Sequence, residues 1–442
     1  VLHDRGRAGL ATESSGRVFR ATYSRPFIAH ASMAPSCAVA EWRDTAADAP
    51  AHVQVWSHSQ GINNLRDAIQ AALELAPGSV EVEHVEGAGC YGHNAADDAA
   101  FDAVLLAGSV PGHPVHVQWT RRDELTWAPF GPAMTADLEA RVNAAGRLVS
   151  WSSDVWGQGH TSRPGYAGVP GLLATAHLER PIDLPAAADP PAARGGGNSR
   201  NAVPAYDIPR RRVNVHRLLR TPIRSSALRS LGAHLNVFAI ESLMDEVALA
   251  TGQDPLAFRL AHLSDPRARR VLEVAAEAGS WGEPTPEGVG RGIGFARYKG
   301  RGAYCAVVAD VAAEHDVSVR RLAIAVDVGR VVNPDGVRNQ LEGGATQATS
   351  WTLKERVRFD RRRITSDDWE GYPILRFSEA PEVSVELVAA EDEPSVGAGE
   401  AAAGPTSGAI ANAVSDALGG VRVRHLPITP DAVVRAIESQ DD

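Results

Sequence analysis

The chain has 442 residues, 44% of them hydrophobic and 22% charged, with a formal net charge of −10; this describes a globular protein with sizeable cores and excludes a disordered chain. The acidic surplus argues against a nucleic-acid surface, which needs clustered Lys and Arg in excess, and Arg210–Arg212 and Arg361–Arg363 are only short isolated runs. Cys37, Cys90 and Cys305 are too few and too scattered for a zinc ribbon, an iron–sulfur cluster or a disulfide framework, which fits a reducing compartment, and no apolar run approaches the roughly 20 residues of a membrane span.

In chain order, residues 1–50 read as a Pro-punctuated lead-in. Val53–Gln60 alternates as a strand, and Asn63 or Asn64 is placed to cap a helix with Leu65, Ile69, Ala72 and Leu73 on one face. That layout puts Gln60 at a strand end. A second strand, Val80–Val85, runs into the Gly-rich turn Glu86–Asn94 and a helix opened by Asp97 and Asp98. Such a turn either presents free backbone N–H groups to an anion or is simply tight. Gly87, Gly89 and Gly92 are misspaced for a dinucleotide fingerprint.

Val115–Trp119 is the next strand, and Leu138–Trp156 a hairpin turning at Asn143–Gly146. Residues 181–209, rich in Pro, Ala and Gly, read as a long surface connection. Arg224 and Arg229 precede an amphipathic helix through Leu235, Phe238, Leu243 and Val247; they either grip oxygen-rich groups bidentately or form surface salt bridges. After a helix and linker over 267–287, the pattern returns to β near Gly292. Leu322–Val328 is a strand, followed by a helix carrying Gln340–Gln347. Gly343 and Gly344 inside it cost about 1 kcal/mol each relative to Ala, which implies a close neighbour or a bound ligand. The strand Val383–Leu387 leads to Gly397-Ala-Gly399-Glu400 and a final helix with Ile410, Val414 and Leu418 on one face and Gly419 as its stop. Glu400, at the tip of a Gly-rich loop, is the candidate catalytic base; the motif by itself more often marks a turn with a solvated Glu.

These elements predict a mixed α+β chain: a lead-in (1–50), one subdomain (51–288) with the 181–209 connection, and a second (289–442) carrying the Glu400 loop. Ser57–Gln60, His84–Asn94, Ser226–Gly232, Asp327–Gly344 and Val396–Glu400 together resemble the molybdenum-cofactor large subunit of the xanthine dehydrogenase and aldehyde oxidase family, in its isoquinoline 1-oxidoreductase and nicotinate dehydrogenase type. The resemblance implies the molybdopterin-binding fold of that subunit, with Glu400 as general base. It places Gln60, Gly87, Gly89, Cys90, Tyr91, Arg229, Gln340, Gly343, Gly344, Gln347 and Gly399 around molybdopterin, in its cytosine dinucleotide form. Asn94 falls in the substrate pocket, and no protein side chain ligates the metal.

The implied activity is oxidation of an N-heteroaromatic ring carbon, or of an aldehyde, with water as oxygen source. Electrons leave to 2Fe-2S clusters on a small partner subunit. A strict aldehyde dehydrogenase and a non-catalytic assembly paralogue are the alternative readings. The Met-Gly-Gln-Gly-like loop of the family is absent, so a segment or chain carrying an N-terminal part is expected as a partner. Asn94 stands where purine-oxidising relatives carry Glu, and Met33-Ala34-Pro35 where many read Met-Glu-Pro. The expected compartment is the cytoplasm, or the periplasm where an upstream signal has been removed.

Overall fold

The computed structural model describes residues 3–5, 16–43, 52–166, 168–314 and 316–439; much of the lead-in, 1–2, 6–15 and 44–50, lies outside the described residues. Three sheets carry the chain. The first joins β1 (His3–Arg5), β2 (Arg17–Arg25), β7 (Met134–Val142), β8 (Leu148–Gly157) and β9 (Arg210–Arg217) in the order β1-β9-β8-β7-β2. A second joins β5 (Val80–His84), β4 (His52–Ser57), β3 (Cys37–Arg43) and β6 (Val115–Gln118) in that order, covered by α1 (Ile62–Ala72) and α2 (Ala96–Ala107). The third runs β10 (Val289–Arg297), β11 (Tyr304–Ala312), β12 (Ser318–Asp327), β13 (Glu382–Leu387). The predicted hairpin is β7–β8, and the strand before Glu400 is β13, parallel to β12.

Two helices, α4 (Ala233–Ala250) and α8 (Ala403–Ala417), lie between the first and third sheets and share one continuous core with both. The sequence predicts α4 as amphipathic, but it is buried on nearly every side, His234, Asn236, Glu241 and Asp245 included. A periodicity count misses this because the polar positions are buried by partners distant in sequence. Glu241 accepts from Tyr206 Oη (2.8 Å), Arg259 Nε (2.8 Å) and the Phe295 N–H (3.0 Å), so the charge is satisfied where it is buried.

Helix α8 meets β10 through a seam where glycines bring backbone against backbone. A Cβ at Gly290, Gly292 or Gly294 would stand 2.1 Å from Ala413 O, 2.2 Å from Ala413 N and 2.3 Å from Pro405 O respectively. Every second residue of β10 faces the helix, and only Gly at those positions lets the two backbones approach so closely.

Several helices begin with a capping residue followed by Pro: α5 (Pro255–Ala261) after Asp254, α6 (Pro266–Ala278) after Asp265, α7 (Pro334–Leu353) after Asn333 and α9 (Pro430–Glu438) after Thr429. The side-chain oxygen takes an otherwise unpaired N–H, and Pro has none to lose. α9 follows α8, so α8 is not the final helix; Thr429-Pro430 is the signal that marks it. α1 begins at Ile62, before either predicted Asn cap, because Ser59 Oγ accepts the Gly61 N–H (3.1 Å) and ends the preceding turn earlier. The 181–209 connection is a surface segment only in its first half: Gly196–Asn198, Arg200, Tyr206 and Ile208 are buried.

Candidate active site

A cavity of about 940 Å³ opens where the ends of the second and third sheets face the loop before α4. Its wall brings together Gln60, Gly89, Cys90, Tyr91, Arg229, Gln340, Gly343, Gln347, Gly399 and Glu400. Loops and a helix separated by most of the chain thus converge on one cavity, with the predicted Gly344 just off its wall.

Glu400 is gripped on both oxygens. Oε1 accepts the Ser230 N–H (2.8 Å) and Oε2 accepts the Tyr298 hydroxyl (2.7 Å), while Ser230 Oγ donates to the Glu400 carbonyl (3.0 Å). Arg200 Nη1 donates to the same Tyr298 oxygen (2.8 Å) and stops 3.7 Å from Oε2. Tyr298 therefore stands between the guanidinium and the carboxylate. Burial, reinforced by the Glu400 charge, holds the Tyr298 pKa well above the usual tyrosine range, so it remains a donor. Ser230 has φ 71° and Leu231, beside it on the cavity wall, φ 50°. Left-handed backbone in non-Gly residues costs roughly 1–3 kcal/mol and collects at functional sites.

Arg229 ties this loop to its neighbours: Nε donates to Gly399 O (2.6 Å), Nη2 to Gln340 O (2.8 Å) and Nη1 to Gln347 Oε1 (3.4 Å). Its partner on α7 explains one helical glycine, since a Cβ at Gly344 would stand 3.2 Å from Arg229 Nη2. Gly343 has nothing within 4 Å of that position and faces the open cavity. Arg224, in contrast, is spent on Asp98 (2.7 Å). It is a structural ion pair.

On the opposite wall, Cys90 Sγ donates to His58 O (3.0 Å), and burial pushes its thiol up to about 12; it is a packed thiol, not a thiolate. Gly87 does not line the cavity. Its missing side chain makes room for the His58 ring, whose Cγ would lie 2.7 Å from a Cβ there. Asn94, expected in the substrate pocket, is 1% exposed and also stands outside the wall. Its carboxamide donates to Gly89 O (3.4 Å) and accepts the Ala96 N–H (3.1 Å) at the start of α2, so local capping consumes it.

The sequence reading missed Arg200, Tyr298 and Lys299. Arg200 sits in the stretch read as a surface connection, and Tyr298 and Lys299 in a turn read only as a boundary. The Arg-Tyr-Lys run at 297–299, polar and aromatic at the end of a Gly-rich strand, is the signal that could have found them.

Five cations on the wall (Arg163, Arg194, Arg200, Arg229, Lys299) face two carboxylates (Glu355, Glu400). Gln60, Asn339, Gln340 and Gln347 add carboxamides, and Thr161 Oγ1 is buried without a hydrogen-bond partner among the described residues. This donor-rich surface, open at Gly343, suits a planar polar group bearing oxyanions. Among the described residues no group of three or more His, Cys, Asp or Glu gathers to hold a metal ion directly.

Residues 2–188 and 191–263 match one family of molybdopterin cofactor-binding domains, and 259–381 match a second. The chain belongs to the molybdenum-cofactor-binding domains of the xanthine dehydrogenase family. It is 38% identical to a subunit of the nicotinate dehydrogenase of Pseudomonas putida over 97% of this chain and 36% of that protein. It is 31% identical to the beta subunit of isoquinoline 1-oxidoreductase of Brevundimonas diminuta over 81% of this chain and 44% of that one. The chain thus spans less than half the length of these curated relatives. The fold is that of quinoline 2-oxidoreductase from Pseudomonas putida 86 (TM-score 0.76, 14% identity, 96% of this chain and 77% of that one). Aldehyde oxidoreductase from Desulfovibrio gigas is similar too (TM-score 0.73, 15% identity, 96% and 62%). Among the described residues no helix is long and apolar enough to cross a membrane.

Proposed function

We propose that this chain is the molybdopterin-holding and base-bearing part of an oxidoreductase that oxidises an N-heteroaromatic ring carbon or an aldehyde, with water as oxygen source. The observation that carries the proposal is Glu400: a carboxylate with both oxygens oriented, facing a cavity rich in cations and carboxamides. The cofactor, when bound, supplies a two-electron acceptor and the site from which water-derived oxygen is delivered. Gln60, the Gly89–Tyr91 backbone, Arg229, Gln340 and Gln347 would hold it, with Gly343 leaving room for its approach.

The protein's own contribution is proton transfer and order. Glu400 accepts the proton released as oxygen is transferred to the electron-poor carbon, a role worth about 10²–10⁴-fold in rate. The Ser230 N–H fixes one carboxylate oxygen. Tyr298 fixes the other and keeps Arg200 from collapsing onto it, since direct pairing would lower the basicity that the reaction needs. The names of the relatives, nicotinate dehydrogenase and isoquinoline 1-oxidoreductase, favour the ring substrate over the aldehyde.

With this reading go the cytosine dinucleotide form of the cofactor, a small subunit with 2Fe-2S clusters as electron acceptor, and a further segment or chain completing the cofactor site. The division at 50/51 and 288/289 and a reducing, cytoplasmic setting belong to the same proposal. Cys37, Cys90 and Cys305 are all free thiols, which agrees with that compartment.

The deciding experiment is metal and pterin analysis of the protein purified with its natural partners, followed by turnover on pyridine and isoquinoline rings and on simple aldehydes with an artificial electron acceptor. Stoichiometric molybdenum with ring oxidation is the expected result. A complex without molybdenum or pterin refutes the proposal in favour of an assembly role, and turnover of aldehydes alone assigns a strict aldehyde dehydrogenase.

A further inference from the structure

One cation on the cavity wall is built into place and, among the described residues, left without a counter-ion. Lys299 directly follows Tyr298, whose hydroxyl touches Glu400. Its backbone is left-handed, with φ 57°. A single side chain clamps it there: Asn201 Oδ1 accepts the Lys299 N–H (2.8 Å) and Asn201 Nδ2 donates to Arg297 O (2.9 Å). Asn201 is itself left-handed, at φ 57°. The lysine stem lies against Gly195, where a Cβ would stand 2.7 Å from Lys299 Cδ. A glycine, a carboxamide clamp and a strained turn thus hold this side chain in place next to Tyr298.

The Lys299 ammonium lies 5.2 Å from the Tyr298 ring centre and has no carboxylate within ion-pair distance among the described residues. Burial lowers its pKa, and the nearby Arg200 charge lowers it further. Glu400 is the carboxylate felt most nearby, but both its oxygens are engaged elsewhere. Of the other cations, Arg200 and Arg229 donate to protein acceptors, Arg163 stands beside Gly61 at the Gln60 end, and Arg194 is exposed.

We infer that Lys299 is the anchor for an oxyanion of the substrate, so that the cavity selects a carboxylated N-heteroaromatic ring over its neutral counterpart. The inference rests on the proposed function and deepens it. An ammonium next to the base holds the far side of a single planar ring while its reacting carbon faces Glu400, which makes the anion an orienting handle as well as a source of affinity. The shared chemistry, an oxyanion on a lysine, also describes a cofactor phosphate, and the test separates the two.

The test compares wild-type complex with Lys299→Met, which keeps the stem against Gly195, and with Lys299→Asn, a neutral residue that tolerates left-handed backbone. KM is measured for pyridine-3-carboxylate and pyridine-3-carboxamide, alongside molybdenum and pterin content and calorimetric binding of both compounds. The wild type should favour the carboxylate. Either variant should shrink the carboxylate-over-carboxamide preference by roughly tenfold or more, the scale of a lost charge-assisted hydrogen bond, with cofactor content retained. A preference that survives both substitutions overturns the inference, as does loss of pterin with the preference intact, which reassigns Lys299 to the cofactor. Absence of turnover on every compound in the wild type is failure of the proposed function instead.

Discussion

Two Glu–Tyr–Arg sets in this molecule use the same chemistry to opposite ends. Around Glu241, Tyr206 and Arg259 both bond directly to the carboxylate, and the acid and the guanidinium side chains are 1% and 0% exposed. Around Glu400, the tyrosine bonds at 2.7 Å but the arginine is held off at 3.7 Å, and the carboxylate is 30% exposed, toward the cavity. A sealed, neutralised carboxylate has no proton to exchange and glues elements together. A carboxylate oriented by neutral donors, with the cation kept one residue away, is fixed in place yet free to take a proton.

That contrast can be broken from either side. The largest effect is expected from Glu400→Gln: turnover falls by about 10²–10⁴-fold while molybdenum and pterin content, and thermal stability, stay near wild type. Near-normal turnover would remove Glu400 from the mechanism. Glu241→Ala should do the reverse, stripping the counter-charge from buried Arg259 at a cost of about 3–5 kcal/mol, seen in denaturant melts as loss of the folded protein. A stable Glu241→Ala protein would show that the inner set is not glue.

A third carboxylate tests what happens with no cation nearby. Glu355 is buried on the cavity wall and accepts from Tyr372 Oη (2.7 Å), and burial pushes its pKa up from 4.5 to about 7. Because the folded protein holds this proton more tightly than the unfolded chain, the associated stability is complete below pH 4.5 and is lost as pH rises through about 7. The loss should amount to about 2–3 kcal/mol. Glu355→Gln should flatten that part of the stability–pH curve, and an unchanged curve would contradict it. The smallest effect is expected from Tyr298→Phe, which deletes the spacer hydroxyl: kcat falls roughly tenfold with cofactor retained. A kcat that stays at the wild-type level would deny Tyr298 its spacing role.

Much of this site was legible in the sequence through the resemblance that several separate motifs carry together, which is what points to Gln60, Arg229, Gln340 and Glu400. Read singly, Arg229 and Glu400 pass for surface residues, because a short loop fixes a conformation and not the neighbours that will face it. The failures share a cause too. Asn94 and Gly87 sit in the right loop, but whether a side chain faces the cavity or caps a helix is decided by a neighbour that local pattern does not contain. Arg200 and Tyr298 are 98 residues apart, and only the packing of the 181–209 connection against the end of β10 makes them partners. The run-by-run survey of charge has the same blind spot: Lys354, Arg356, Arg358, Arg422, Arg424 and Arg435 line another cleft. Lys354, Arg422 and Arg424 there are matched by Glu379, Asp245 and Glu246, so the cleft is no bare phosphate-binding track.

The glycine seam between β10 and α8 has a consequence for how such a protein can change. Glu400 stands three residues before α8, and that helix is registered against its strand by close backbone contact at three glycines, with Asn412 Nδ2 donating to Ile293 O (3.0 Å) and Asp416 Oδ2 accepting the Arg291 N–H (2.9 Å). Wall residues that do not grip the Glu400 loop are free to vary, to take new rings or new charges, because the base takes its place from this seam together with Ser230, Tyr298 and Arg229. By the same logic a single methyl group at Gly292, outside the cavity wall, would push on the helix that follows the base.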